Sequence, residues 1–291
     1  MHVGVAKPPL VETLLTLGRV SNLPTIWTNV LAGVVLAGGE WQTWRTAVTL
    51  LAMSLFYVGG MYLNDYFDRA IDARERPSRP IPAAHISAQA VAAIGFALLS
   101  AGLVLMASMG KPAALAGAIL AAVILAYDLF HKANPLAPVV MGLCRALVYC
   151  GAAAAAVGTV SGTLVVAALA LLAYVAGLTY AAKQENLDQI GNLWPLLILA
   201  VPMVVALPVF RQGATAVVIY LVLIGASTYA IYLLGKRPFP GAVPHAVAWL
   251  IAGISLVDAA LLASAGAIGP ALTAIGGFGL TLVLQKYIAG T

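Results

Sequence analysis

Apolar residues run along this chain in long blocks, and short polar stretches separate them. The blocks fall near 20–38, 46–63, 88–109, 112–127, 136–157, 162–182, 193–210, 214–234, 244–265 and 267–285. A helix needs roughly 20 apolar residues to cross the hydrocarbon core of a bilayer, so each block is a candidate membrane span. None alternates with period two and none is flanked by regular turn signals, which excludes a membrane β-barrel and leaves helices. Lys111-Pro112 makes a tight hairpin between the third and fourth blocks, and the tenth is rich in glycine. The pattern therefore predicts an all-α polytopic bundle of nine or ten spans, one transmembrane domain over residues 1–291.

Composition sharpens this picture. The 291 residues are 62% hydrophobic and only 9% charged, far from the roughly 25% charged content of soluble domains. No compact charged-apolar-small pattern precedes the first block, so it is expected to be retained rather than cleaved. Cys144 and Cys150 fall within the fifth block, six residues apart, which suits neither a disulfide framework nor a zinc site, and both are read as core residues.

The charges are distributed unevenly. Lys7, Arg19, Arg69, Arg74, Arg76, Arg79, Lys132, Lys183, Lys236, Arg237 and Lys286 lie at the N-terminus, in the even loops and at the C-terminal end; Arg45, Lys111 and Arg211 lie on the other side. The bias predicts that the N-terminus and the even loops are cytoplasmic, and the expected location is a bacterial inner membrane. The formal charge of +5 is accounted for by topology and by anionic phosphates, and nothing in it points to nucleic acid.

One segment concentrates the candidate chemistry. After the second block the chain reads Asn64-Asp65-Tyr66-Phe67-Asp68-Arg69-Ala70-Ile71-Asp72, then Arg74, Glu75, Arg76, Pro77, Arg79 and Pro80. On a continuing helix Asn64, Asp68 and Asp72 drift only about 40° per step, so their oxygens share a face. Hard oxygen donors in this arrangement suit Mg²⁺, which uses one or two carboxylates and fills its other positions with water and substrate phosphate. Arg74, Arg76 and Arg79 then offer guanidinium forks to the phosphate oxygens. A charged loop that merely solvates a helix end is the plainer alternative, but acids at the membrane exit are costly and mark function.

The string Asn64-Asp65-x-x-Asp68-x-x-x-Asp72, followed by Arg79-Pro80, resembles the first aspartate-rich motif of the UbiA superfamily of membrane prenyltransferases, in the place after the second helix where that family carries it. Tyr127 and Lys132 resemble the family's Tyr and basic residue before its fifth helix, and the helical layout is similar over residues 15–235. The family's second motif corresponds to Thr179-Tyr180-Ala181-Ala182-Lys183-Gln184-Glu185-Asn186-Leu187-Asp188. Its Tyr-Ala pair is present, whereas Gly177 and Gln184 replace acidic residues and Lys183 has entered. Ser21-Asn22-Leu23-Pro24-Thr25, residues 179–185 and Gly253-Ile254-Ser255-Leu256-Val257-Asp258-Ala259 resemble the EboC-like branch.

This resemblance implies Mg²⁺-assisted transfer of a prenyl group from a polyprenyl diphosphate to a small acceptor, aromatic in many members. It implies metal ligation by Asn64, Asp65, Asp68 and Asp72, with Glu185 and Asp188 on a second wall. Asp68, Asp72, Lys183, Glu185 and Asp188 form the expected catalytic set. Arg79, Lys132, Tyr127 and Tyr180 are expected at the substrate. Asn22 and Asn29, seven apart, are expected to line the pocket or to bond between helices, and Arg145 to face the cavity or pair with an acid. Asp258 is open between an interhelical contact, a pocket wall and a proton-linked step. His131 and His245 are read as interfacial, and Asp128 as a helix terminator. The competing reading is a non-catalytic binder or carrier of an isoprenoid or other membrane metabolite, supported by the altered second motif. A transporter would show an inverted repeat with matched interruptions, and no convincing repeat is present.

Overall fold

The computed structural model describes residues 8–132, 134–183 and 194–290, and every regular element among them is helical. In chain order these are α1 (Leu10–Leu17), α2 (Leu23–Leu36), α3 (Trp44–Glu75), α4 (Ala88–Ser108), α5 (Lys111–Phe130), α6 (Ala137–Val157), α7 (Gly162–Lys183), α8 (Val201–Val205), α9 (Ala214–Lys236), α10 (Ala242–Ser264) and α11 (Ile268–Leu284). Seven of them, α3 to α7 with α9 and α10, are long and apolar enough to cross a membrane. Three shorter apolar stretches, Val20–Leu36, Leu196–Arg211 and Ile268–Leu284, occupy the places of the other three predicted spans.

The seventh predicted span is not one helix. Trp194–Ala200 and Leu207–Arg211 are 3₁₀ segments on either side of the five-residue α8. Pro202 and Pro208 each stand in the first turn of a new element; proline has no N–H for the preceding turn and its ring clashes with that turn's carbonyl, so the helix restarts at each one. The second predicted span differs in the other direction. α3 runs for 32 residues, carrying the acidic string out of the apolar block with its helical spacing intact.

The helices pack around α10, 83% of whose apolar stretch is buried, whereas α4 and α5 are 28% buried and present most of their surface outward. Small residues set the closest approaches. A Cβ on Gly33 of α2 would lie 2.7 Å from the Tyr149 carbonyl oxygen of α6, so only glycine allows the backbones this close. One turn earlier on both helices Asn29 meets Arg145. At the opposite end of the bundle Arg45 donates through Nη1 to the carbonyl oxygens of Ala155 (2.7 Å) and Met109 (3.3 Å). This basic residue satisfies carbonyls at the C-terminal ends of α6 and α4, a role that favours positive charge.

Candidate active site

The extension of α3 beyond its apolar stretch places Asn64, Asp65, Asp68 and Asp72 together, all buried. Basic groups from three other segments meet them. Asp65 Oδ1 lies 2.8 Å from Arg79 Nη1 and 3.2 Å from Arg19 Nη2. Arg79 Nη1 also lies 3.5 Å from Asp72 Oδ2, so one guanidinium ties together residues seven apart on α3. Asp68 Oδ2 faces Lys132 Nζ at 3.2 Å and His131 Nε2 at 3.3 Å. Asn64 donates through Nδ2 to Asp128 Oδ1 at 3.2 Å.

The basic partners are themselves fixed. Arg19 has φ of 43°, a left-handed backbone that is costly for a side-chain-bearing residue and is found where function holds it. Its Nη1 also meets Met61 Sδ at 3.1 Å. Burial lowers the pKa of Arg79, neighbouring Arg19 adds to that effect, and Asp65 and Asp72 oppose it; a guanidinium remains charged under such pressure. His131 stacks on Tyr127 with centroids 4.8 Å apart, and its Nδ1 faces the Tyr127 carbonyl oxygen at 3.1 Å. Arg74 and Arg76 are exposed, so of the three arginines in this stretch Arg79 alone enters the cluster.

Beneath this charged rim lies an almost wholly apolar cavity between α2, α3, α5 and α6. Ile26, Met53, Phe56, Leu120, Ile124, Met141 and Val148 supply its hydrocarbon walls, and Tyr57, Tyr127, Asp128, Cys144 and Arg145 its polar atoms. Arg145 Nη1 donates to Thr25 Oγ1 and Asn29 Oδ1, each at 3.0 Å, and its Cζ lies 5.5 Å from the Tyr57 ring centroid. Asn29 donates in turn to both oxygens of Asp258, which also accepts from Tyr149 Oη.

The predicted site residues thus fall into groups. Asn64, Asp65, Asp68, Asp72, Arg79 and Lys132 are brought together, and Tyr127 and Arg145 line the cavity below. Asn29 and Asp258 are fully buried and stand behind Arg145. Asn22 lies elsewhere, at the end of the 3₁₀ turn Val20–Asn22 that precedes α2: it donates to the Gly290 carbonyl at 2.8 Å and accepts from Gln285 Nε2 at 3.0 Å. Lys183 ends α7, close enough to Lys132 for the two ammonium groups to repel. Tyr180 is half-buried against the core. Glu185 and Asp188 lie outside the described residues.

Gly177 is packed against the 3₁₀ segment after α7; a Cβ there would stand 2.9 Å from Leu199 Cδ2. Sequence reasoning does not assign Arg19, His131 and Asp128 to the cluster. In the sequence Arg19 reads as a topology charge and His131 as an interfacial residue. For Asp128 the available signal is its position one residue after Tyr127 at the end of an apolar helix. Cys144, read as core, faces the cavity.

The donor set bears on whether a divalent cation fits here. Among the described residues no three Asp, Glu, His or Cys side chains converge on one point, because Asp65 and Asp68 face basic partners. The chemistry nevertheless fits: amide and carboxylate oxygens at helical spacing, enough for the one or two carboxylates that Mg²⁺ uses, and a buried oxygen, Asp128 Oδ2, that no group among the described residues satisfies.

The model of the UbiA prenyltransferase family matches residues 26–265, which includes Asp258 and extends beyond the 15–235 read from sequence. A digeranylgeranylglyceryl phosphate synthase from Methanothrix thermoacetophila is 38% identical over 127 residues, 43% of this chain and 47% of that protein. A protoheme IX farnesyltransferase from Salinispora tropica is 32% identical over 182 residues, 60% of this chain and 51% of that protein. The chain thus spans about half the length of these curated relatives. Among solved structures, a UbiA homologue from Aeropyrum pernix K1 aligns with a TM-score of 0.65 at 19% identity, covering 82% of this chain and 96% of that one. A UbiA homologue from Archaeoglobus fulgidus bound to GPP and Mg²⁺ aligns with a TM-score of 0.60 at 14% identity, covering 88% and 99%. These structural likenesses establish the fold.

Proposed function

The chain belongs to the UbiA prenyltransferase family, and from that premise we propose that it transfers a prenyl group from a prenyl diphosphate to a small acceptor inside the membrane. The observation that carries this reading is the stacking of two environments: a rim with Asp65, Asp68, Asp72, Arg19, Arg79, His131 and Lys132 directly above an apolar cavity. A prenyl diphosphate has the same division, anionic at one end and hydrocarbon at the other. Of the relatives named above, one is a farnesyltransferase and the other a digeranylgeranylglyceryl phosphate synthase, each with an isoprenoid group in its name.

In this reading Asn64, Asp68 and Asp72 hold a divalent cation, Mg²⁺ by the hardness of the donors. When bound, the cation supplies positive charge against the charge that develops on the departing diphosphate. Arg79 and Lys132 contribute to the same end by exchanging their carboxylate partners for phosphate oxygens. Asp65 keeps Arg19 and Arg79 aimed at the rim. Lys183, beside Lys132, adds a further cation from α7, and Glu185 and Asp188 complete that wall. The apolar walls hold the prenyl chain and exclude water, which limits hydrolysis of the allylic cation. The acceptor's nucleophilic carbon or oxygen attacks that cation and its displaced proton leaves to solvent at the rim. The N-terminus and the rim face the cytoplasm, as the lysine and arginine bias indicates.

The decisive experiment is Mg²⁺-dependent diphosphate release by the protein in lipid, offered a panel of prenyl diphosphates with and without aromatic and phosphorylated acceptors. Turnover that disappears in Asp68→Ala supports the enzyme. Mg²⁺-dependent binding with no turnover across the panel overturns it in favour of a binder or carrier.

A further inference from the structure

Asp128 ends α5 as a buried carboxylate, 4% exposed. Its Oδ1 accepts from Asn64 Nδ2 at 3.2 Å, while Oδ2 is buried and has no hydrogen-bond partner among the described residues. Neither protonation state is satisfied by the protein alone. As a carboxylate, Asp128 holds a buried charge with no cation among the described residues in contact, because Arg19 and Arg79 are spent on Asp65 and Lys132 on Asp68; such an uncompensated charge is costly. As an acid, its hydroxyl on Oδ2 would have no acceptor. A cation resolves both cases.

We propose that Asp128 Oδ2 is an additional oxygen ligand for the divalent cation of this site, completing from α5 the donor set that α3 begins. Three relations support the placement. Asn64 spends its amide nitrogen on Asp128, which leaves its amide oxygen for another partner. Asp68, one turn further along α3, is near enough for its charge to act on Asp128. Asp128 also lines the apolar cavity together with Tyr127 and Arg145, so it stands between the charged rim and the apolar walls. α7 itself carries no carboxylate from Gly162 to Lys183. Asp68 meets Lys132 and His131 through Oδ2, and its Oδ1 is the oxygen it offers the cation.

This inference rests on the proposed cation site, and the test separates the two. Binding of Mn²⁺, with Mg²⁺ as competitor, is followed by electron paramagnetic resonance on the full chain in nanodiscs without substrate. Asp128→Asn preserves shape and is expected to weaken Mn²⁺ binding by about tenfold or more, on the scale of losses when a metal site's oxygen partners are removed. Without metal, the Asp128→Asn variant is expected to unfold at the same or higher temperature, as an unpaired buried charge has gone. If Asp68→Asn weakens Mn²⁺ binding and Asp128→Asn leaves it within twofold, this inference is overturned and the cation site stands. If neither variant changes Mn²⁺ binding, both are overturned. Asp128→Cys provides a readout independent of the asparagine variant's folding: it is expected to gain a sulfur-to-cadmium charge-transfer band on adding Cd²⁺, above any signal from the native Cys144 and Cys150. Absence of an added band in folded protein overturns the proposal.

Discussion

Asn29 and Asp258 meet inside the bundle through a bidentate contact, with Asn29 Nδ2 3.0 Å from Oδ1 and 2.8 Å from Oδ2. Because the amide nitrogen is committed to the carboxylate, the amide oxygen must face the other way, and there it accepts from Arg145. A cation on α6 and an anion on α10 are thereby coupled through one amide on α2, with no direct contact between the charges. This arrangement holds the guanidinium at the cavity wall while its counter-charge stays behind it.

Removing one end of that relay should strand the other. Asp258→Leu is expected to destabilise the protein by about 3 kcal/mol, the cost of leaving a buried charge uncompensated. The double variant Arg145→Leu with Asp258→Leu should recover a good part of the loss. Reversible unfolding in mixed micelles measures the cycle, and purely additive effects would show that the two charges are not coupled.

The arginines after α3 should separate sharply. Arg79 lies 2.8 Å from Asp65 and enters the acidic cluster, whereas Arg74 and Arg76 are exposed. Arg79→Ala is expected to raise KM for the prenyl diphosphate by roughly 30-fold, equivalent to about 2 kcal/mol for a charge-assisted contact. Arg74→Ala should stay within twofold. Equal effects in steady-state kinetics would place the diphosphate away from the Asp65–Arg79 pair.

Gly177→Asp should fail to restore an acidic second wall. The new side chain would begin 2.9 Å from Leu199 Cδ2, and Leu199 is itself buried in the core. A loss of about 1–3 kcal/mol follows from overpacking, read as a lower unfolding temperature. Adding Leu199→Ala should return part of it. Unchanged stability in the single variant would mean that the segment after α7 yields easily.

Orientation can be read chemically. Cysteine introduced by Arg76→Cys sits at an exposed position after α3, and an impermeant maleimide should label it in inside-out but not right-side-out vesicles. Gln212→Cys, at the other end of the bundle, should behave oppositely. The reverse pattern would reject a cytoplasmic rim.

Much of this was legible in the residues themselves. Hydrophobic block length fixes a helical membrane protein because a bilayer leaves the backbone no alternative. The four-residue spacing of Asn64, Asp68 and Asp72 fixes a shared face because an uninterrupted helix turns by about 100° per residue. Other features depend on which helices become neighbours, and that information is not local. α10 matches outward-facing α4 in apolar character, and Asp258 shows from sequence only that one of its faces turns inward; that it is the central helix is decided by packing. Gly33 permits α2 to approach α6, and only that approach puts Asn29 between Arg145 and Asp258. Asp128 reads as a helix terminator until α5 is laid beside α3, when its two oxygens become inequivalent: one is held by Asn64 and the other is left without a partner. Chain periodicity specifies what each helix presents, whereas the identity of the partner is decided by packing among distant segments, where the cost of an unsatisfied buried charge is either met or left standing.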